Sequence, residues 1–257
     1  MHLIFLGTGT SYGVPYVGCD CGVCTSEDSR DKRLRASVLV SSGETQILID
    51  TTPDLRQQLL REKVRHLSGV LWTHSHNDHI IGLDDIRPLS DKLGYIDGWA
   101  NADTLEHLQQ VFPYALQEGR EHGGFPRVNG NVLQPRQEIE IGGIRVTAIP
   151  IRHGRREIFA YRFQAKNKVL IYATDCSHIP DESRDLMQDA DVLILGALRH
   201  APHIGHFSLS QALEEVEKLK PRKAFFTHIA HDLEHETINA DLPPNVALAF
   251  DGLKIEI

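Results

Sequence analysis

The densest group of chemically active side chains lies in the segment Thr73–His79, which reads THSHNDH. Histidine is the commonest metal-ligating side chain, and aspartate binds metal ions through its carboxylate. Residues two apart in an extended segment face the same side, so His74 and His76 can chelate one ion together. Asp78 and His79 would then turn toward a second ion. The segment therefore predicts a metal site rather than an ordinary polar loop.

Three further candidate ligands, His153, Asp175 and His228, each follow an apolar run, as His74 does. The preceding runs are Ile144–Pro150, Val169–Ala173 and Lys223–Thr227. Side chains at strand ends can converge on one point without burying polar groups inside a sheet. We therefore predict that these three residues complete the metal site.

A second group of candidate ligands consists of Cys19, Cys21 and Cys24. In a reducing compartment, clustered cysteines indicate metal or redox chemistry more than disulfides. Three thiolates are one ligand short of a closed tetrahedral zinc site, and we assign the fourth position to His231. The alternative is a redox dithiol of Cys21 and Cys24, which leaves the third cysteine unexplained. Cys176 is expected to be a buried free thiol.

Strands and helices would position these residues. Nine apolar runs predict strands at His2–Leu6, Ser37–Val40, Gln46–Asp50, Gly69–Thr73, Ile144–Pro150, Phe159–Phe163, Val169–Ala173, Val192–Leu195 and Lys223–Thr227. Helical patterns are found at Pro53–Glu62, Ala102–Val111, Glu182–Gln188 and Ser208–Leu219. Ser208 and Gln211 resemble a capping box at the start of the last helix. This order of elements fits two sheets covered by helices.

Two local features allow more than one interpretation. The stretch Gly119–Asn131 is rich in glycine, proline and polar residues, and it predicts a loop, either over a site mouth or on the plain surface. Asp50 ends a predicted strand. It could hold a ligand imidazole through the second ring nitrogen, or it could cap the following helix.

The composition is that of a soluble globular enzyme, with 41% hydrophobic and 24% charged residues among 257. We predict one domain spanning residues 1–257. No apolar run approaches the ~20 residues that cross a bilayer, and MHLIFLGTGT contains no basic leader, so a cytoplasmic location is expected. The net charge of −8 disfavours general nucleic-acid binding. Arg152–Glu157 (RHGRRE) is a candidate basic patch, with a solvated turn as the favoured interpretation.

Taken together, these motifs resemble the metallo-β-lactamase superfamily. The segment HSHNDH at 74–79 matches its HxHxDH motif, and the later His, Asp and His follow in the order that the superfamily uses. The opening FLGTGTSYGVP is similar to the members that cleave phosphodiesters, the tRNase Z and PhnP-like branches. The resemblance covers nearly the whole chain. It implies an α/β fold, a four-layer αβ/βα sandwich with the metals at one edge, between the sheets.

The resemblance also implies a set of ligands, two active-site ions (Zn²⁺ or Mn²⁺) and one structural Zn²⁺. One active-site ion would be held by His74, His76 and His153, the other by Asp78, His79 and His228, with Asp175 bridging both. The PhnP-like branch places structural zinc in a CxCxxC pattern joined by a later histidine, here Cys19, Cys21, Cys24 and His231. In that branch a histidine just before the equivalent helix donates a proton to the leaving group; His206 matches best by position and His203 is second.

The expected function is a dinuclear metal-dependent hydrolase that cleaves a small cyclic or nucleotide-like phosphodiester through a metal-bridging hydroxide. Asp78, Asp175, His206 and His203 are its candidate catalytic residues. The alternatives are a tRNase Z-like RNA nuclease, a thioester or lactone hydrolase, and a non-hydrolytic metalloprotein such as a one-iron cofactor-biosynthesis oxygenase. The expected partners are the small substrate and a second copy of the chain in a homodimer, with no membrane.

Overall fold

A computed structural model describes residues 1–116 and 124–257, and within those ranges the strands form two seven-stranded sheets. Across the first sheet the order is Lys254–Glu256 (β14), His2–Gly7 (β1), Ser37–Ser42 (β2), Thr45–Ile49 (β3), Gly69–Leu71 (β4), Ile96–Ala100 (β5) and Val128–Val132 (β6). Across the second it is Val246–Leu248 (β13), Lys223–Thr227 (β12), Val192–Gly196 (β11), Lys168–Ala173 (β10), Arg156–Ala165 (β9), Ile144–His153 (β8) and Glu138–Ile141 (β7).

The helices of the described ranges are Gly22–Thr25 (α1), Leu55–Arg61 (α2), Asn77–Ile80 (α3), Arg87–Leu93 (α4), Ala102–Val111 (α5), Asp181–Arg184 (α6), Leu209–Leu219 (α7) and His235–Asp241 (α8). Short 3-10 turns lie at Ser29–Asp31, Leu83–Ile86 and Asp185–Met187. Among the residues that the structure describes, no helix has the length and apolarity needed to cross a membrane.

Successive side chains of a strand point to opposite faces of its sheet, so they belong to different layers of the core. In β1, Leu3 and Phe5 face the second sheet, whereas Leu6 belongs to the outer cluster, on the side that α2 covers. The same alternation places Leu193 and Leu195 of β11 against α7 on the outer face of the second sheet. Helices therefore cover both outer faces of two sheets that pack on each other. This confirms the predicted α/β class and its four-layer αβ/βα sandwich.

All nine predicted strands are present, and α5 has the predicted bounds. The capping box of Ser208 and Gln211 is confirmed at the start of α7. Two predicted helices need correction at their ends. The helix predicted from Pro53 begins at Leu55, after Asp54. The helix predicted at 182–188 is the short α6 followed by a 3-10 turn.

The predicted loop at Gly119–Asn131 is wrong at its carboxyl end, where β6 pairs with β5 in parallel. β6 lies at the edge of its sheet and reads VNGNV, so it lacks the apolar alternation of a buried strand. Residues 117–123, which include the start of the predicted loop, lie outside the described ranges.

Strand direction brings the predicted ligands to one edge of the sandwich. Strands β10, β11 and β12 are parallel to one another. Strand β8 runs the same way as β10, because both pair antiparallel with β9. In the first sheet β3 and β4 are parallel. The carboxyl ends of these strands therefore meet, and the loops that follow them carry the candidate site.

Candidate metal centre

The seven predicted active-site ligands form two adjacent groups. The ligand atoms of His74, His76 and His153 lie within 4.8 Å of one another. The ligand atoms of Asp78, His79, Asp175 and His228 meet the same criterion. The structure thus brings together side chains from four different loops, as their position at strand ends predicts.

The backbone makes an unusual turn at three of these strand ends. Asp50, Asp175 and His228 have φ angles of 65°, 53° and 58°. Left-handed backbone costs a residue other than glycine about 1–3 kcal/mol and persists where the surroundings determine it. Gly196 allows this turn at Asp175, because a Cβ at residue 196 would approach the Asp175 nitrogen to 3.1 Å. The strain turns the side chains sharply from the strand ends into the site.

The distances between ligand atoms fit ions at the centre of each group. His79 Nε2 lies 3.2 Å from Asp78 Oδ2 and 3.3 Å from Asp175 Oδ1, yet it is buried and has no hydrogen-bond partner in the described ranges. His228 Nε2, 3.3 Å from Asp175 Oδ2, is buried and unpartnered in the same way. Ligands of a tetrahedral ion with bonds of about 2.1 Å are about 3.4 Å apart. The orphaned nitrogens therefore match metal ligands.

Asp175 lies between the two groups. Its Oδ1 faces His79, whereas its Oδ2 faces His228 and lies 3.8 Å from His74 Nε2. One carboxylate can in this way offer an oxygen to each of two neighbouring ions. The arrangement is the one that a bridging ligand requires.

The electrostatics of the centre favour positive charge. Burial would lower the pKa of His79, yet the carboxylates of Asp175, Asp78 and Asp50 outweigh it and raise that pKa well above its ordinary value. Burial would raise the pKa of Asp175, yet His228 and His79 hold it well below the ordinary range. The centre therefore stabilises a positive charge among carboxylates, which is the environment that divalent cations require.

Outer hydrogen bonds fix the imidazoles. Asp50 Oδ2 accepts from His79 Nδ1 at 2.8 Å, and Asp50 also accepts from the backbone and hydroxyl of Thr73. The carbonyl of Gly205 accepts from His153 Nδ1 at 2.6 Å. In each histidine the bond holds Nδ1 protonated, so Nε2 is the nitrogen that would bind an ion. Asp50 therefore positions a ligand, and the helix-cap interpretation is wrong, because the residue that precedes α2 is Asp54.

Two of these supporting groups were missed at the level of sequence. Thr73 directly precedes the first histidine, but nothing in its type indicates a bond to Asp50. Gly205 acts through its backbone, and a Cβ there would come within 2.9 Å of His153 Cε1. In the sequence, the one indication of this role was the position of the glycine between the two candidate proton donors.

The two candidate proton donors lie at different depths. The ring of His206 stacks on that of His228 at 4.7 Å, and its Nδ1 is 3.8 Å from Asp175 Oδ2. His203 is exposed nearer the mouth, 5.0 Å from the His206 ring. Burial, followed by His228, lowers the pKa of His206 to about 3. The pKa is low because the fold buries this ring among other imidazoles.

The cysteine group is a separate cluster. Nδ1 of His231 lies 3.3 Å from the Sγ of Cys19, 3.5 Å from that of Cys21 and 3.3 Å from that of Cys24. Thiolate and imidazole ligands of tetrahedral zinc are about 3.5 Å apart, given bonds of about 2.3 and 2.0 Å. The convergence of one nitrogen on three sulfurs favours a closed zinc site over a redox dithiol.

The cysteine cluster joins the N-terminal loop to the loop that carries His228. The Tyr16 ring stacks on the His231 ring at 3.8 Å. The backbone of Ile229 donates to Thr8 and accepts from Thr10. Cys176 lies outside the cluster, buried, and burial raises the pKa of its thiol. The free, buried state predicted for Cys176 is confirmed.

The family assignment follows from comparison with known proteins. The model of the beta-lactamase superfamily domain matches residues 45–229. The chain belongs to the metallo-β-lactamase superfamily. A crystal structure described as a new diphosphatase from the PhnP family is 43% identical, with a TM-score of 0.92 over 100% of this chain and 97% of that chain. The chain is therefore a member of the PhnP family, and the predicted resemblance is confirmed.

Two further proteins are similar to this chain. An octanoyltransferase of Porphyromonas gingivalis is 32% identical over 257 residues, which are 99% of this chain and 51% of that protein. The chain thus spans about half the length of that curated relative. Zn²⁺-bound PqqB from Methylobacterium extorquens has a TM-score of 0.83 at 19% identity, covering both chains fully. That second likeness shows the fold alone. The comparisons together support a metal-dependent hydrolase of the metallo-β-lactamase fold.

Proposed function

We propose that this protein hydrolyses small phosphodiesters, either cyclic or nucleotide-like, with two divalent ions in its active site. The observation that carries the proposal is Asp175, a buried carboxylate in an open cleft, whose Oδ1 faces His79 and whose Oδ2 lies near both His228 and His74 of the other ligand group. The likeness at 43% identity to a diphosphatase supports phosphoryl chemistry rather than acyl chemistry.

The side chains fit two ions. His74, His76 and His153 would hold the first, Asp78, His79 and His228 the second, and Asp175 would contact both. Such a pair of ions supplies Lewis acidity, which lowers the pKa of water and offsets negative charge on phosphoryl oxygens. Zn²⁺ or Mn²⁺ suits this mixture of nitrogen and carboxylate ligands.

The protein's own groups would orient the metal ligands and protonate the leaving group. Asp50 and the Gly205 carbonyl hold two ligand imidazoles in fixed orientations, which keeps the reacting groups aligned. His206 is the proposed donor to the departing oxygen, since its ring lies against both His153 and His228. His203 is the second candidate, at the mouth of the same cleft.

The low pKa of His206 sets a condition on this role. With a pKa of about 3, the ring is neutral at pH 7 in the free protein. An anionic phosphodiester beside the ring favours imidazolium, because an opposite charge within about 4–6 Å raises a histidine pKa.

A substrate screen tests the proposal. The metal-loaded protein, with Zn²⁺ or Mn²⁺, is assayed on bis-p-nitrophenyl phosphate and on a matched panel of thioesters and lactones. We expect the highest kcat/KM on the phosphodiester. A higher kcat/KM on a thioester or a lactone would contradict the proposal and make the protein an acyl hydrolase.

A further inference from the structure

The hairpin between β8 and β9 carries two arginines beside the proposed metal centre. In the pairing of these strands His153 lies opposite Arg156, and Arg152 lies opposite Glu157. Directly opposed residues of an antiparallel pair project from the same face. Arg156 therefore leaves the hairpin on the face of the ligand His153. Arg152 and Glu157 project from the other face and form an ion pair at 3.4 Å, although Glu157 also lines the larger of the two clefts described below.

Backbone contacts fix the position of this hairpin. Arg152 donates its backbone N–H to the carbonyl of His178 at 3.0 Å and accepts from Ser177 N at 2.8 Å. At the turn, Gly154 adopts a φ of 59° and donates to Ser177 Oγ at 2.9 Å. Because the turn is held at several points, Arg155 and Arg156 extend from a rigid support.

Both arginines border the clefts that lead to the metal centre. One cleft of about 950 Å³ and another of about 460 Å³ each contain His76 and Asp78, and each is lined by Arg155 and Arg156. The two guanidinium groups are exposed, and neither has an ion-pair or hydrogen-bond partner in residues 1–116 and 124–257. Two unpaired cations next to the site of phosphoryl attack can bind a second anion.

The opposite wall of the larger cleft has a different character. It is formed by α5 and its N-cap Asn101, and it includes Asp103, Glu106, His107 and Gln110. The two carboxylates there, Asp103 and Glu106, accept hydrogen bonds from hydroxyl or amino groups and repel a phosphate. A second anionic group in this cleft is therefore directed to the arginine wall.

We infer that Arg155 and Arg156 form a phosphate subsite that selects P1,P2-diesters of diphosphate over diesters of a single phosphate. The inference rests on the proposed function, since each phosphorus of such a substrate is itself a phosphoryl diester. One phosphoryl group lies at the ions while the guanidiniums bind its neighbour. In hydrolysis the oxygen of water bonds to the first phosphorus, the P–O–P bond breaks, and the bridging oxygen leaves on the second phosphate, which takes up the proton that the water gives up.

The test compares P1,P2-diadenosine diphosphate with bis-p-nitrophenyl phosphate in the metal-loaded protein. In Arg155→Ala and Arg156→Ala we expect kcat/KM on the diphosphate to fall about ten- to a hundredfold, the effect of losing a charge-assisted hydrogen bond. The fall on the single phosphate should be at least fivefold smaller. Arg156→Lys, which keeps the charge but loses the fork of donors, should recover part of the loss. Arg152→Ala is the matched control and should leave both rates at the wild-type level.

Binding gives a second readout that needs no turnover. By calorimetry the wild-type protein should bind ADP more tightly than AMP, and Arg156→Ala should erase the difference. An equal loss on both substrates, or no loss on either, would overturn the subsite. If the wild-type protein hydrolyses neither ester, the proposed function fails. In that case a preference for ADP over AMP that Arg156→Ala abolishes would still support the subsite. The absence of that preference would contradict it.

Discussion

The two ligand clusters of this protein differ in chemistry and in access. The cysteine cluster joins three sulfurs and one nitrogen, and the Tyr16 ring covers its histidine. The active-site cluster is built from histidines and carboxylates and opens into two clefts. A closed set of four ligands leaves an ion no free position, whereas an open set leaves room for substrate. The closed cluster therefore suits a structural ion, and the open cluster suits a catalytic one.

The clusters also differ in how their ligands are held. In the active site, left-handed backbone and outer hydrogen bonds fix Asp175, His79 and His228 where strands end. In the cysteine cluster the ligands come from short loops, and Cys21 caps the four-residue α1. The cysteine cluster would therefore depend more on a bound ion for its order, whereas the active-site cluster is organised by the sheets.

Removing the shared carboxylate should have the largest effect. In Asp175→Ala we expect kcat on bis-p-nitrophenyl phosphate to fall at least ~10⁴-fold, because both ions lose a ligand. The zinc of the cysteine cluster should remain, as measured by elemental analysis. Asp181→Ala, which removes an exposed carboxylate, is the matched control and should retain activity. Near-wild-type turnover in Asp175→Ala would contradict a catalytic role for the active-site cluster.

Replacing the proposed proton donor should leave both clusters loaded. We expect His206→Ala to lower the rate ~10²–10⁴-fold on an alkyl phosphodiester, whose leaving group needs a proton. The loss should shrink on bis-p-nitrophenyl phosphate, because nitrophenolate departs without protonation. Equal losses on both esters would exclude His206 as the donor, and the same pair of assays on His203→Ala would then test the second candidate.

Breaking the cysteine cluster should affect stability more than chemistry. In Cys21→Ser we expect one zinc to be released and the free energy of unfolding to fall by about 3 kcal/mol or more, which lowers Tm by roughly 6–12 °C. Cys176→Ala removes a thiol outside the cluster and should keep the full zinc content. Unchanged zinc in Cys21→Ser would contradict a structural site. A disulfide of Cys21 and Cys24 under mild oxidation would then favour the redox dithiol.

Weakening the hydrogen bond that orients one candidate ligand should have the smallest effect of these changes. Asp50→Asn keeps the size of the side chain but weakens the bond to His79 Nδ1. We expect a loss of about 10–100-fold in affinity for the active-site metal, measured by titration of the metal-depleted protein. The zinc of the cysteine cluster should stay bound, and an unchanged affinity would show that Asp50 serves only the fold.

The sequence predicted that the candidate ligands converge, because their segments follow strands whose carboxyl ends meet. The dense motif at 74–79 and the strand-end positions of His153, Asp175 and His228 are local features that survive folding unchanged. What sequence could not predict depends on contacts between distant segments. Burial of His206 among other imidazoles requires the loop before α7 to pack on the ends of β8 and β12. The placement of Arg156 depends on the register that sets it opposite His153.

The prediction of the fold also depended on features that are visible locally in the sequence. Buried strands such as β10 and β11 show continuous apolar runs, which the sequence displays directly. The edge strands β6 and β14 carry polar, exposed residues, so their pattern is that of loops. Pairing with a neighbour, rather than composition, makes them strands.

Metal content under mild chelation tests the difference between the two clusters most directly. The purified protein is loaded with zinc, dialysed against a mild chelator, and its metal is counted by elemental analysis. We expect about three ions per chain before dialysis and about one after it, with activity lost and then restored by Zn²⁺ or Mn²⁺. Loss of all ions together, or a protein that retains activity with a single ion, would contradict the assignment of one closed and one open centre.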